Sequence, residues 1–500
     1  MSPAILFSFV IAYFAVLLVV ARVTAKGATN DSFFIGNKNS NWMLVAFGMI
    51  GTSLSGVTFI SVPGAVGTTA FTYYQIVLGQ LLGYFVIAFV LLPIFYKLNL
   101  TSIYDYLGQR LGIQSRRTGA SFFILSRTVG ATARLYLVIN ILQEMLLDNL
   151  NVPFWVTASI IIAMVLFYTY EGGVKTIVWT DTLQTSCMLL GLVLCVWILL
   201  NALNLSVVES LVQMESRGLS TIFSTDVDSS RFWLKQVLAG MFIAIAMTGM
   251  DQEMMQKNIS VKTLADSQKN IIVLAPIMLC VVFLFLFLGG LLYLYAPTVG
   301  VAATGDKIFP SVVLGNGFGA LSAALQVVFV IALISALFPS ADGAMTALTS
   351  SFCIDILGMK SRLNWSEADR KRIRHRVHLS FAALFLFLIM VFKWANNPSM
   401  IGLILKLAAF TYGPLLGLFA FGILTKRSVR DAAVPFIALG APVMCFILDN
   451  RQATIFGSYQ IGLELLIVNG FITFAGLWWV SDSIPSREKY AAKHKTKAQE

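Results

Sequence analysis

The sequence GTSLSGVT, from Gly51 to Thr58, interrupts an apolar segment that extends over residues 42–66. Glycine, serine and threonine are weaker helix formers than leucine or alanine, and the pair Pro63-Gly64 follows them. A helix broken at membrane depth leaves backbone carbonyl groups unpaired, and these are tolerated only where they face protein or a water-filled cavity. The interruption therefore predicts either a transporter-like cation site or close packing of small residues against a neighbouring helix.

The composition predicts a polytopic membrane protein rather than a soluble enzyme. Of the 500 residues, 58% are hydrophobic and only 12% are charged, whereas soluble domains have about 25% charged residues. At about 20 residues per bilayer-spanning helix, this content supplies on the order of a dozen spans. We expect one all-α transmembrane domain over residues 1–500. Thirteen spans are predicted near residues 3–21, 42–66, 71–96, 118–147, 153–170, 176–202, 232–253, 270–295, 311–357, 374–394, 399–424, 431–449 and 458–481.

The positions of the basic residues predict the orientation. One alternating set of loops and the tail contains 26 of the 35 Lys and Arg residues, and the opposite loops contain six. Because basic loops stay on the cytoplasmic side, we expect an external N-terminus and a cytoplasmic tail over residues 482–500, in the cell (inner) membrane. The net charge of +11 thus reflects topology and gives no indication of nucleic acid binding.

A second interruption lies five predicted spans after the first. Gly240, Gly249 and the polar pair Asp251-Gln252 fall within the seventh predicted span. Two interruptions at this offset predict an inverted repeat with the functional site between the broken helices. The core repeats would cover about residues 42–202 and 232–424, and the segments 3–21, 431–449 and 458–481 would be peripheral.

Three basic residues remain inside predicted spans, namely Arg127, Arg134 and Lys406. Charges at this depth are costly and are therefore functional candidates. Arg134 lies near mid-membrane, where its guanidinium could bind a carboxylate through two hydrogen bonds, or could form an internal ion pair. Arg127 lies closer to the cytoplasmic interface, which favours a structural role. Lys406 could line an outer vestibule or extend its amino group outward.

Two acidic residues, Asp181 and Asp342, also fall inside predicted spans. If both are ionised and close together, a bound cation would neutralise them, and a plain structural pairing is the alternative. Pro339 has no N–H group, so the carbonyl oxygen of Ser335 lacks its helical partner and is available to a cation.

The histidine positions argue against catalysis. His375 and His378 lie in the basic stretch at the start of the predicted span 374–394 and His494 lies in the basic tail, which leaves no nucleophile–base pair deeper in the predicted spans. We therefore expect that the protein is not an enzyme and needs no cofactor.

Two motifs resemble the signature of the sodium/solute symporter family. They are YTYEGG at residues 168–173, and VWTD at residues 178–181 with Gln184. Members of this family carry sugars, proline, sialic acid, iodide and monocarboxylates. The resemblance implies the leucine-transporter fold, with five-plus-five inverted repeats, two broken helices and alternating access.

The resemblance also implies two cation sites. The main sodium site would combine backbone carbonyls of the first broken helix with carbonyl and hydroxyl groups of the ninth span. Its residues would be Gly51, Leu54, Ala336, Pro339 and Ser340. Pro339 departs from the family pattern because a hydroxyl-bearing residue is expected there. A second site, for sodium or a proton, would involve Asp181, Asp342 and Ser340.

The substrate candidates are similar to those of the sialic-acid-type members. Ser53, Ser55, Thr58 and Arg134 stand at the matching positions, and Tyr73, Gln75, Gln80 and Lys406 are further candidates. The implied function is sodium-coupled import of a small carboxylate-bearing solute, with sialic acid as the first candidate. Symport of a neutral sugar or amino acid, or an ion channel, are the alternatives. The expected partners are this substrate, Na⁺ as coupling ion and the lipid bilayer, around a functional monomer.

Overall fold

The computed structural model describes residues 3–24, 33–34, 36–170, 173–315, 318, 322–359, 362, 364–395 and 400–482. These residues are almost entirely helical. The α-helices are α1 (Pro3–Thr24), α2 (Trp42–Ser53), α3 (Gly56–Thr69), α4 (Tyr73–Lys97, with a π-helical turn at Ile87–Leu91), α5 (Tyr104–Arg110), α6 (Ile113–Leu142), α7 (Phe154–Thr169), α8 (Gly173–Leu203), α9 (Val207–Ser216), α10 (Trp233–Ala244), α11 (Gln252–Ile259), α12 (Leu264–Tyr295), α13 (Ile308–Leu314), α14 (Ser322–Ser351), α15 (Glu367–Ala395), α16 (Met400–Leu424), α17 (Val434–Asn450), α18 (Gln452–Phe456) and α19 (Leu465–Trp479). Two short strands, β1 (Ser428–Val429) and β2 (Ser481–Asp482), pair antiparallel.

Two pairs of helices are broken where the sequence predicts interruptions. Helices α2 and α3 meet at an angle of 54°, with Leu54 and Ser55 between them. Helix α10 continues through a π-helical turn at Ile245–Gly249 and meets α11 at 64°. Asp251 caps α11, because its side chain accepts hydrogen bonds from the amides of residues 253 and 254.

The order of the helices agrees with the predicted repeat. The first broken pair is followed by α4, α6, α7 and α8, and the second by α12, α14, α15 and α16. Within the described residues, nine helices are long and apolar enough to cross a membrane, besides the two bent pairs and two shorter apolar helices, α7 and α19. The all-α polytopic fold class is confirmed. The count of thirteen crossings stays a prediction, because α7 and α19 have only 16 and 15 residues, fewer than the roughly 20 that a full span needs.

Glycine allows a very close contact between α4 and α10. A Cβ atom at Gly79 would collide with the carbonyl oxygen of Val237, and one at Gly240 would collide with that of Ile76. This close packing of α4 against α10 fixes one wall of the space beside the broken helices.

The predicted end of the seventh span at residue 253 is wrong. Helix α11 extends to Ile259, and all eight of its residues are buried. Lys257, which the predicted span boundary places in a cytoplasmic loop, is only 3% exposed and binds Asp181. The polar sequence of this segment resembles a loop, but an ion pair to another helix offsets the cost of burying it.

Candidate functional site

A cavity of about 110 Å³ lies beside the break between α2 and α3, with room for several water molecules. Its apolar walls come mainly from α10, α12 and α16. Its polar lining residues are Thr52, Ser53, Ser55, Thr58, Tyr73, Gln80, Tyr84, Arg127, Arg134 and Thr248. We refer to it as the central cavity. Most of the predicted substrate residues therefore lie around one space.

Helix periodicity explains which residues of α4 reach the central cavity. Successive residues of a helix are about 100° apart, so Tyr73, Gln80 and Tyr84 share one face, and all three line the cavity. Gln75 is about 200° from Tyr73 around the helix axis. Its side chain is buried elsewhere and donates a hydrogen bond to the carbonyl of Thr72. The structure thus does not place Gln75 in the predicted site.

Lys406 also lies outside the central cavity. Its neighbours Ile404 and Leu405 line the cavity, but the Lys406 amino group lies 2.7 Å from Asp449 and its side chain is 58% exposed. Lys406 is one residue further along α16 than Leu405, so its side chain points away from the cavity and towards α17. The predicted lining role of Lys406 is therefore not supported, and the outward position is observed.

The two arginines of α6 have different surroundings. Arg127 is 5% exposed, forms an ion pair with Glu253 and lies 3.9 Å from Asp251. No hydrogen bond or ion pair within the described part of the chain reaches the guanidinium of Arg134, which lines the central cavity. Arg127 is thus neutralised by the protein, whereas Arg134 has charge and donors available for a ligand.

The amino end of α3 faces the same cavity. Ser55 precedes this helix without a side-chain cap, and Val57 and Thr58 in its first turn line the cavity. The first amides of a helix have no intrahelical partner and carry a partial positive charge. Together with Arg134, this helix end provides the electrostatic environment that an anion requires.

The carbonyl end of α2 lies against α8 and α14 on the other side of the break. The last carbonyls of a helix are unpaired, so Gly51 and Leu54 offer oxygen ligands. The position of a Cβ atom on Gly51 lies 3.6 Å from the Pro339 ring and in collision with the Thr185 hydroxyl. The hydroxyls of Ser340 and Thr185 are both buried without a hydrogen-bonding partner among the described residues. Such oxygens suit a hard cation.

The predicted second cation site differs from the expected arrangement. Asp181 binds the Lys257 ammonium at 2.6 Å. The carboxylate of Asp342 accepts hydrogen bonds from the Tyr168 hydroxyl at 2.8 Å and from the Gly343 amide. A side-chain cation thus binds Asp181 where the sequence predicts a free cation shared with Asp342, because α11 extends further than predicted.

Three comparisons with known proteins bear on this geometry. The model of the sodium:solute symporter family matches residues 33–440. The chain belongs to the sodium:solute symporter family. It is 22% identical to the sodium/sialic acid symporter NanT of Aliivibrio fischeri, over 94% of this chain and 92% of the relative. It is 27% identical to human sodium-coupled monocarboxylate transporter 1, over 85% of this chain and 69% of that protein.

Solved structures support the fold of this symporter family member. A substrate-bound, outward-open Na⁺-coupled sialic acid symporter superposes with a TM-score of 0.79 at 19% identity, covering 96% of this chain and 99% of the other. The transporter Mhp1 of the nucleobase-cation-symport-1 family gives a TM-score of 0.57 at 12% identity, covering 91% and 94%. These likenesses establish the leucine-transporter architecture. Of the signature motif, residues 171 and 172 lie outside the described residues.

A larger cavity of this symporter family member lies beside the central one. Its volume is about 420 Å³, and Thr68, Arg231 and Asp306 are among its lining residues. Tyr73 and Leu405 line both cavities. We refer to this larger cavity, on the predicted external side, as the vestibule. The side chains of Tyr73 and Leu405 therefore separate it from the central cavity.

Two residues of this site were not predicted from the sequence. Thr185 looks like an ordinary polar residue of a span. The signal that could have identified it is Gly51, which has no side chain and so leaves room for the Thr185 hydroxyl. Lys257 was assigned to a loop, because no local pattern indicates a partner 76 positions away.

Proposed function

We propose that this member of the sodium:solute symporter family imports a small carboxylate-bearing solute together with sodium, with sialic acid as the leading candidate. The observation that carries the proposal is the Arg134 guanidinium, which lines the central cavity and has no hydrogen bond or ion pair to any other residue that the structure describes. A carboxylate can accept two parallel hydrogen bonds from a guanidinium, and the amino end of α3 adds further donors.

The relatives support a carboxylate rather than a neutral substrate. Two of them are named for sialic acid and another for monocarboxylates, and both kinds of solute carry a carboxylate group. The hydroxyl groups of Ser53, Ser55 and Thr58 would then bind the polar remainder of the solute. The sequence identity of these relatives is at most 27%, so the site residues rather than the names support the assignment.

The main sodium site of the proposal comprises Gly51, Leu54, Ala336 and Ser340, with Thr185 as an additional ligand. Pro339 contributes no hydroxyl, and Thr185 has a hydroxyl without a hydrogen-bonding partner among the described residues, beside Gly51 on the same side as the Pro339 ring. Sodium would bind between α2, α8 and α14 and stabilise the conformation to which the substrate binds. Coupling requires only that both bound species favour the same state.

The proposed setting is a single transmembrane domain that works as a monomer in the cell (inner) membrane. The basic loops support an external N-terminus and a cytoplasmic C-terminus, and this bias remains when Lys257 is removed from the count. The vestibule beside Tyr73 would then open to the outside.

Uptake by proteoliposomes tests the proposal. An inward sodium gradient should drive accumulation of labelled sialic acid, and the same vesicles with equal sodium on both sides should only equilibrate it. A thermal-shift screen of sialic acid, monocarboxylates, neutral sugars and amino acids, with and without sodium, identifies the substrate class. If only neutral solutes stabilise the protein, the substrate is neutral and the proposal of a carboxylate substrate is wrong. Uptake that is indifferent to sodium would contradict sodium coupling, and single-channel currents would indicate a channel.

A further inference from the structure

A network of four buried charged side chains lies beside the proposed sodium site. The ammonium of Lys257 lies 2.6 Å from Asp181 and 3.8 Å from Glu253, and Glu253 in turn binds the guanidinium of Arg127. All four side chains are at most 5% exposed. They come from α8, α11 and α6, so this network links elements of both repeats.

The four groups alternate in sign and are neutral as a set. Asp181 and Glu253 contribute two negative charges, and Lys257 and Arg127 contribute two positive ones. Asp251 follows Arg127 at 3.9 Å, and its other oxygen caps the positive end of α11. Within this network, Lys257 balances the charge of Asp181 without an external cation; the carboxyl group of Asp342 is not part of the network and is held by the Tyr168 hydroxyl and the Gly343 amide.

Lys257 is held at the position a metal ion would take. Its ammonium donates hydrogen bonds to Asp181 Oδ2 and to Thr52 Oγ1, both at 2.6 Å. Thr52 belongs to α2, so the ammonium joins the first broken helix to the second and to α8. The oxygen atoms of Asp181 and Thr52 that bind this ammonium are of the kind that a free cation takes as ligands.

We infer that Lys257 is a built-in cation that replaces a second coupling sodium ion at Asp181, so that the protein couples transport to one sodium ion. This inference rests on the proposed function. A sodium ion on Asp181 would lie about 4 Å from the ammonium, and repulsion between two such charges corresponds to roughly a thousandfold loss of sodium affinity. The second site is therefore closed to sodium as long as Lys257 stays in place.

The number of sodium ions has an electrical consequence. A monovalent carboxylate that enters with one sodium ion carries no net charge, so a membrane potential adds no driving force. With two sodium ions one net charge would enter, and a potential of about 100 mV would raise accumulation about 50-fold.

Saturation binding of ²²Na⁺ to the purified protein counts the sites without reference to a substrate. We expect one site per chain in the wild type. Lys257→Met should open the second site and bind two. The matched double variant Asp181→Asn/Lys257→Met removes both charges together, and it should bind one sodium ion with an affinity within about twofold of the wild type.

Two results would overturn the inference. One is two sodium sites in the wild type, with one lost in the double variant, because Asp181 would then be a sodium ligand. The other is a folded Lys257→Met protein that still binds only one ion. If that single variant does not fold, the wild type and the double variant decide the question. Absence of specific ²²Na⁺ binding in the wild type would instead contradict the proposed function itself.

Discussion

Replacement of Arg134 separates substrate binding from folding more sharply than any other change. Arg134 lines the central cavity and has no hydrogen bond or ion pair among the described residues. Arg134→Lys keeps the positive charge but offers a carboxylate one compact donor group instead of a planar pair. The loss of one charge-assisted hydrogen bond costs about 1.5–3 kcal/mol, which corresponds to a 10- to 150-fold weaker Kd. Arg134→Gln removes the charge as well and should weaken binding further.

The stability of the folded protein, in contrast, should not depend on Arg134. Because no internal partner is lost, both Arg134 variants should keep the wild-type Tm without substrate. Arg127 is the matched control, seven residues earlier on the same helix, and it is paired with Glu253. Arg127→Gln would leave the buried Glu253 carboxylate with only the Lys257 ammonium, at 3.8 Å, as a charged partner, so the unfolding free energy should fall by up to the roughly 3–5 kcal/mol that breaking a buried ion pair costs.

Isothermal titration with sialic acid and with its methyl ester provides the assay. The wild type should prefer the acid, whereas Arg134→Gln should bind acid and ester with similar affinity because the ester lacks the charge that Arg134 recognises. Substrate affinity of Arg134→Lys equal to the wild type would refute the role of this guanidinium. A large loss of Tm in both Arg134 variants would show that the residue stabilises the fold instead.

Three further predictions concern the sodium site, the wall between the two cavities and the ion pair of Asp355. Ser340→Ala and Thr185→Val should each lower sodium affinity about tenfold, as a lost oxygen ligand would, and sodium titration of the Tm measures this; unchanged affinity in Thr185→Val would remove that residue from the site. Tyr73→Ala removes part of the wall between the central cavity and the vestibule, so substrate affinity should fall about tenfold with sodium affinity unchanged, a split that paired titrations would reveal. Asp355 lies in the turn directly after α14, 2.9 Å from Arg116 of α6, and accepts a hydrogen bond from Ser102. We expect this network to act as a gate on the predicted cytoplasmic side, so Asp355→Asn should raise sodium-independent efflux from loaded vesicles severalfold, and an unchanged efflux rate would count against a gate.

The two helix breaks could be predicted because their causes are local. Glycine and hydroxyl-bearing residues between Gly51 and Thr58 weaken the helix, and the chain does break at Leu54 and Ser55. Asp251 is a favourable capping residue, and a new helix begins directly after it. Local propensity and capping act over a few residues, so a single sequence contains the information.

The charges of the site could not be predicted in the same way. Hydropathy treats the residues from Met254 to Ile259 as a loop, because it sums single residues and ignores pairs. Their burial depends on contacts to other helices, above all that of Lys257 with Asp181. Gln75 is a different case, since its position opposite Tyr73 follows from the 3.6-residue period and was available in the sequence.

The break in the first repeat helix offers opposite charges to two ligands. The carbonyl end of α2 carries the partial negative charge of a helix C-terminus and suits sodium, while the amino end of α3 carries the opposite charge and suits a carboxylate. Only Leu54 and Ser55 separate the two ends. A change in the angle between α2 and α3 would therefore alter both sites at once, so sodium and substrate can each stabilise the geometry that the other requires. Coupling by this route needs no long path through the protein, because the two sites share one piece of backbone.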